Sequence, residues 1–321
     1  MISICTANFN KWPYLVDFLN SIKKYESEYV SEIVIVDDFS TDDSCEIIKK
    51  RSKENSTIHI KLIENTINKW PWPSYDISVR NASNEFIMIM DSDDFIIASS
   101  LAQKIDYFKN NSNCRIVYGN GKIYDDKNNV FMTDSLNDSF FTTTFSGPLS
   151  AIKRYFETSV SNLYVPWCLI CKKFLIDDVW WFDHTLKSND RVLNIKIFST
   201  INTKEQIWYC DIPCFAYRIW DSNISRRYSE MEKLMVDVAR KYWSHDNKKT
   251  LLSNIYFTIA MNALRNGDKQ VSFWYFKKSF KHGSTTRKTA SYIIAFLVPS
   301  WVIKSSLVRR YAQKIYLIVT S

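Results

Sequence analysis

The chain has 321 residues, 46% of them hydrophobic and 15% aromatic, so it can bury one large α/β domain or two smaller ones and is not a disordered chain. It holds only five glycines and neither G-x-G-x-x-G nor G-x-x-x-x-G-K-[ST], which excludes a nucleotide site built on a glycine-rich phosphate loop. The net charge of +8 sits at one end: residues 269–321 carry ten Lys/Arg and no Asp or Glu, and the remainder carries about −2, so the basic end alone asks for an anionic partner, lipid headgroups or nucleic acid.

In chain order, ISICTA predicts a strand, without the basic segment and apolar core of a signal peptide. The seven cysteines are therefore expected reduced, in the cytoplasm. Asn8-Phe9-Asn10 predicts a turn. Pro13 suits a first helical turn, and Tyr14, Leu15, Phe18, Leu19 and Ile22 share a helical face. EIVIV predicts a strand buried on both faces, running into Asp37-Asp38. Ser40 to Asp43 form a helix start, with Asp42 and Asp43 assigned to capping. IHIKLIE predicts a third strand, NKWPWPSYD a loop, and NEFIMIM a fourth strand that ends at Asp91-Ser92-Asp93-Asp94. Trp70 and Trp72 in the loop either pack or shape a pocket. Leu101, Ile105 and Phe108 suggest a helix, and RIVYGNGKIYDD a further strand and turn. This alternation predicts an α/β fold with a mostly parallel, doubly wound sheet, whose ligands bind at the carboxyl ends of strands.

Strand-like pieces surround Trp167 and Trp208, and the pairs Cys168/Cys171 and Cys210/Cys214 read as small apolar strand residues rather than a zinc site. From Tyr228 the texture is helical: Met231, Leu234, Met235, Val238 and Tyr242 share one face. Residues 251–265 and 271–281 predict a helical hairpin ending near Gly267 and Gly283. The segment 292–303 is apolar but only about 12 residues long, well short of the roughly 20 of a membrane span. Flanked by Arg287, Lys288, Lys304, Arg309 and Arg310, it suits an interfacial anchor, which favours a membrane surface over nucleic acid as the partner.

Three carboxylates within four positions at the end of an apolar strand repel one another unless a cation neutralises them, and such an oxygen set suits Mg²⁺ or Mn²⁺ holding a diphosphate. A helix-capping acidic turn explains the same residues. Asp37 and Asp38, at another strand end, can accept hydrogen bonds from a ribose or a base.

In order and spacing, ISICTANFN, EIVIVDDFSTDDS and NEFIMIMDSDDFI resemble glycosyltransferase family 2. The resemblance implies the GT-A fold and an inverting transfer of sugar from a nucleotide sugar, UDP being the usual nucleotide. It places Ala7, Asn8, Asp38, Asp91 and Ser92 at the donor, with Asp93 and Asp91 at the metal. Asp183 and Ser188-Asn189-Asp190 resemble the family's F-D-E…E-D stretch, with Asn189 in place of Glu, making Asp190 the base that takes the acceptor hydroxyl's proton. Tyr217-Arg218 resembles the later Y-R segment that closes over the diphosphate. The family's A-R-N-x-G is absent: Ser74 to Ser78 stand there, and the Arg-Asn pair comes later, as Arg80-Asn81, so Arg80 is the candidate phosphate ligand of that loop.

The organisation this implies is a nucleotide-binding half over residues 1–110, an acceptor-binding half over 111–226 and a helical, basic region over 227–321. The acceptor is expected to be a glycan or lipid-linked glycan of a bacterial surface polysaccharide, met by an enzyme peripheral on the inner face of the membrane. A sugar nucleotidyltransferase and a degenerate binding module are the alternatives.

Overall fold

The computed structural model describes residues 1–54, 57–132, 169–175, 190–219, 227–242, 248–265 and 267–283, with Pro148, Asp183, Thr185, Leu186, Thr289 and Tyr292 in addition. These residues fall into two compact units, one of 1–152 and 164–219, the other of 153–163 and 220–321.

In the first unit, β1 (Ile2–Asn8), β2 (Val30–Asp37), β3 (His59–Glu64) and β4 (Phe86–Ile89) form the parallel part of the sheet, in the order β3-β2-β1-β4. All seven residues of β1 are buried, as are all but one of β2. Strands buried on both faces need continuous apolar runs, and EIVIV is one. The crossovers are α1 (Trp12–Glu26), α2 (Ser44–Lys53) and α3 (Pro71–Arg80). Register pairs Asn8 with Asp37 and Asp37 with Glu64, so three strands end level.

Past β4 the sheet becomes mixed. The acidic turn leads to β5 (Phe95–Ile96) and α4 (Leu101–Asn110), followed by β6 (Ile116–Asp125), β7 (Val130–Phe131), β8 (Ile170–Lys172), α5 (Asp190–Ser199) and the long β9 (Ile207–Ile219). The order continues β4-β8-β6-β9-β5, with β7 paired to β6. Strand β8 runs antiparallel to both β4 and β6, while β6 and β9 are parallel. Their register slips on both sides of Asn120, whose side chain donates to Asp211. After the slip Gly121 lies against the Phe215 ring, where a Cβ would come within 2.4 Å of a ring carbon.

The segment read as a Trp/Pro loop is instead mostly α3. Its two prolines, Pro71 and Pro73, lie in the first turn, where a missing N–H costs nothing, and Trp70 enters at a φ of 73°. Helix α2 begins at Ser44 rather than near Ser40; Asp42 accepts from Ser44 N at 3.0 Å and from Trp12 N at 3.1 Å, tying the starts of α1 and α2 together.

In the second unit, α6 (Tyr228–Tyr242), α7 (Lys248–Arg265) and α8 (Lys269–His282) follow one another. Met231, Met235 and Val238 are buried as their spacing predicts. Gly267 turns between α7 and α8 at a φ of 80°, and Asp268 caps α8 by accepting from Val271 N. Ser253 and Ser279 meet at 3.1 Å, so small residues set the close approach of this hairpin. No described helix is long and apolar enough to cross a membrane. The proposed anchor at 292–303 lies outside the described residues, apart from Tyr292.

Candidate active site

The carboxyl ends of β1 and β2 are joined to the acidic turn through Asn8. Its amide donates to Asp37 Oδ2 at 2.9 Å and its Oδ1 accepts from the Ser92 hydroxyl at 3.1 Å, which lies equally close to the Ala7 carbonyl. Ser40 satisfies the rest of Asp37, donating from N at 2.8 Å and from Oγ at 2.7 Å. Asp37 is thus a brace, and the next residue is the one presented. Asp38 Oδ1 accepts from Asn65 Nδ2 at 2.8 Å, Lys69 N at 2.9 Å and Ser74 Oγ at 3.0 Å, with the residue 2% exposed. Three donors to one oxygen fix the carboxylate's orientation. Asn65, Ser74 and Lys69 have no motif of their own; only their positions after β3 and in α3 bring them here.

In the acidic turn, Asp91 accepts a short hydrogen bond from the Tyr75 hydroxyl. Burial first, and then Asp91, push the Tyr75 phenol well above its usual range, so it remains the donor. Asp93 Oδ2 pairs with Lys11 at 3.0 Å. Burial opposes the Lys11 charge, yet Asp93 and Asp91 push its pKa up. Asp94 is 1% exposed; its Oδ1 accepts from Arg218 N at 2.9 Å, and its Oδ2 has no hydrogen-bond partner among the described residues. Burial, then the neighbouring Asp93 and Asp91 charges, raise its pKa well above the usual carboxylate range.

Of the two expected phosphate ligands, one lies elsewhere and the other is held by carboxylates. Arg80 ends α3, where the chain returns to the amino end of β4, and its exposed guanidinium pairs with Asp76 at 3.4 Å. A ten-residue helix is about 15 Å long, which separates it from the Asp38 end. Arg218 is near but committed. It donates from Nη2 to Asp17 at 2.8 Å, from Nη1 to Asp126 and from Nε to the Asp93 carbonyl at 2.7 Å, within 4.8 to 5.4 Å of the Tyr14, Phe95 and Tyr124 ring centroids. It buttresses the acidic turn from behind, and a cavity of about 710 Å³ runs from it along α1, past Asp17, Lys24 and Lys122. Asp183 closes its own turn by accepting from Thr185 N and Oγ1. Asp190 is the first residue of α5; its side chain, and residues 187–189, lie outside the description. Cys171, Cys210 and Cys214 are buried, and burial raises the pKa of the Cys171 and Cys210 thiols; Cys168 is not described.

A family model, Glycosyl transferase family 2, matches residues 3–180, which is more than half of the chain. The chain belongs to this family. Glycosyltransferase GlyA of Streptococcus pneumoniae is 26% identical over 235 residues, 71% of this family 2 chain and 32% of GlyA. The chain spans less than half the length of the curated relatives it matches. Among solved structures, Staphylococcus aureus TarS 1–349 in complex with UDP-GlcNAc superposes with a TM-score of 0.56 at 17% identity, over 97% of this chain and 89% of that one. The mannosyltransferase PcManGT of Pyrobaculum calidifontis, in complex with GDP-Man and Mn²⁺, gives 0.56 at 14% identity, over 99% and 85%. The fold is GT-A.

No three His, Cys, Asp or Glu side chains of the described residues converge as a metal cage. The Asp91 and Asp93 carboxylates, with the orphaned Asp94 oxygen behind them, give this family 2 chain hard oxygen ligands but few of them. That set fits Mn²⁺ or Mg²⁺ completing its shell with phosphate and water, not an ion bound alone.

Proposed function

We propose that this chain transfers a glycosyl group from a nucleotide sugar, with UDP as the nucleotide, to a hydroxyl of a glycan or lipid-linked glycan in bacterial surface polysaccharide synthesis. The observation that carries this reading is the Asn8 hub, which brings the Asp38 strand end and the Asp91-Ser92-Asp93 turn to one edge of the sheet. TarS, a poly(ribitol-phosphate) β-N-acetylglucosaminyltransferase, and GlyA support the substrate class.

Asp38, oriented through Oδ1, accepts from the base or ribose with its remaining lone pairs. Asp91, held by Tyr75, faces the ribose. Asp93 and Asp91 hold the Mn²⁺ or Mg²⁺, which when bound supplies positive charge to the departing nucleoside diphosphate. Asp190, at the start of α5, takes the acceptor hydroxyl's proton as that oxygen attacks the anomeric carbon. A single displacement inverts that centre. The basic C-terminal segment holds the enzyme at the anionic inner leaflet, where a lipid-linked acceptor resides.

Purified protein would be incubated with a panel of nucleotide sugars, with Mn²⁺ or EDTA, and nucleoside diphosphate release measured. One donor is expected to be hydrolysed slowly, and EDTA to abolish release. Asp93→Ala is expected to lower release by about 10³-fold, the scale of losing a charge-stabilising group. Failure of every nucleotide sugar to bind, with or without metal, would sink the reading in favour of a degenerate module.

A further inference from the structure

Lys11 belongs to none of the patterns that singled out the other site residues. It is the last residue before α1, on the loop leaving β1, and its side chain is only 22% exposed. Its ammonium lies 3.0 Å from Oδ2 of Asp93, the carboxylate assigned above to the donor's ion. The other cations considered for the diphosphate are otherwise engaged: Arg218 by Asp17, Asp126 and the Asp93 carbonyl, and Arg80 at the far end of α3.

We propose that Lys11 is a diphosphate ligand kept in reserve, neutralising Asp93 while the site is empty and passing to a diphosphate oxygen when a divalent ion takes Asp93. The proposal rests on the donor reading above. Its physical basis is the cost of leaving a largely buried charge unpaired. If an ion alone took Asp93, the Lys11 ammonium would lose its partner. If diphosphate alone entered, it would meet the Asp91 and Asp93 charges. When both enter together, the ammonium swings on its four-carbon stem from carboxylate to phosphate, and every charge keeps a partner. Lys11 thereby opposes metal without nucleotide and favours nucleotide with or without metal.

The two effects have opposite signs, so a structural role cannot imitate them. Wild type, Lys11→Gln and Lys11→Arg would be compared at neutral pH. UDP and GDP binding would be measured by calorimetry at saturating Mn²⁺ and again in EDTA, with uridine and guanosine as controls, and Mn²⁺ binding without nucleotide by electron paramagnetic resonance. Lys11→Gln is expected to weaken the diphosphate about tenfold, the scale of one charge-assisted hydrogen bond. It should leave the nucleoside unchanged and tighten Mn²⁺. Lys11→Arg should keep diphosphate affinity. Equal diphosphate binding by wild type and Lys11→Gln would overturn the role of Lys11 while leaving the donor reading standing. Parallel loss of nucleoside and diphosphate would reduce Lys11 to a structural residue. A wild type that binds neither UDP nor GDP, with or without Mn²⁺, removes the donor reading and this proposal with it.

Discussion

In the parallel half of the sheet, β1, β2 and β4 deliver residues to the site directly, each from its carboxyl end: Asn8, Asp38 and the Asp91–Asp94 turn. In the mixed half, β9 delivers Arg218 to the back of that same turn, where it grips the Asp93 carbonyl and the Asp94 carboxylate and faces Asp17 and Asp126. One half carries the strand-end carboxylates and the acidic turn, and the other holds that turn still. Carboxylates crowded into one turn repel one another, so the presenting half is stable only with support whose charge and hydrogen bonds come from elsewhere.

Arg218→Leu is the severest test of that division. It removes a side chain that is 5% exposed from two carboxylates and a carbonyl. Breaking a buried pair costs about 3–5 kcal/mol, and the lower end applies because Asp17 and Asp126 keep some hydration. A melting-temperature drop is expected together with weaker donor binding. Loss of donor affinity at an unchanged melting temperature would mean that Arg218 is itself a ligand, and the two halves would not differ in kind.

Gly121→Ala probes the supporting half away from the charges. The added methyl meets the Phe215 ring, which is buried and has little room to withdraw. Overpacking costs about 1–3 kcal/mol. Thermal denaturation should show that loss, while donor affinity per folded molecule stays near wild type. An undiminished melting temperature would mean that the β6–β9 pairing yields easily and braces nothing.

The same division explains what could be read in the chain. The presenting half was legible because parallel strands buried on both faces are written as apolar runs, and their carboxyl ends as acids: EIVIV then Asp37-Asp38, NEFIMIM then Asp91 to Asp94. The supports were not, because their partners are distant in sequence. Arg218 stands out in the sequence, yet only the fold shows that Asp17, 201 positions away, answers its charge. Asn65 and Ser74 are ordinary polar residues until β3 and α3 aim them at Asp38. Helix α3 is hidden in the sequence because two prolines and two tryptophans signal a loop; both prolines fall in its first turn, where that signal misleads. Lys11 carried no signal beyond following a turn.

Asp94→Asn should have the smallest effect, and its sign is informative. Asp94 belongs to the presenting turn by sequence but is held like a support, accepting from Arg218 N and leaving Oδ2 unpartnered. Its pKa in the folded state is raised well above the ordinary 3.8 by burial and by Asp93 and Asp91. A carboxyl raised on folding contributes stability that is fully present below its unfolded pKa and lost as pH rises through the folded one. Asparagine keeps the acceptor for Arg218 N and carries no charge at any pH. In EDTA, the wild type should therefore lose stability relative to Asp94→Asn as pH rises from the ordinary 3.8 through the raised folded value. Donor turnover with metal should fall far less than in Asp93→Ala, since a support needs shape and an acceptor rather than a charge. A loss as deep as that of Asp93→Ala would move Asp94 among the metal ligands and shift the boundary between presenting and supporting residues by one position.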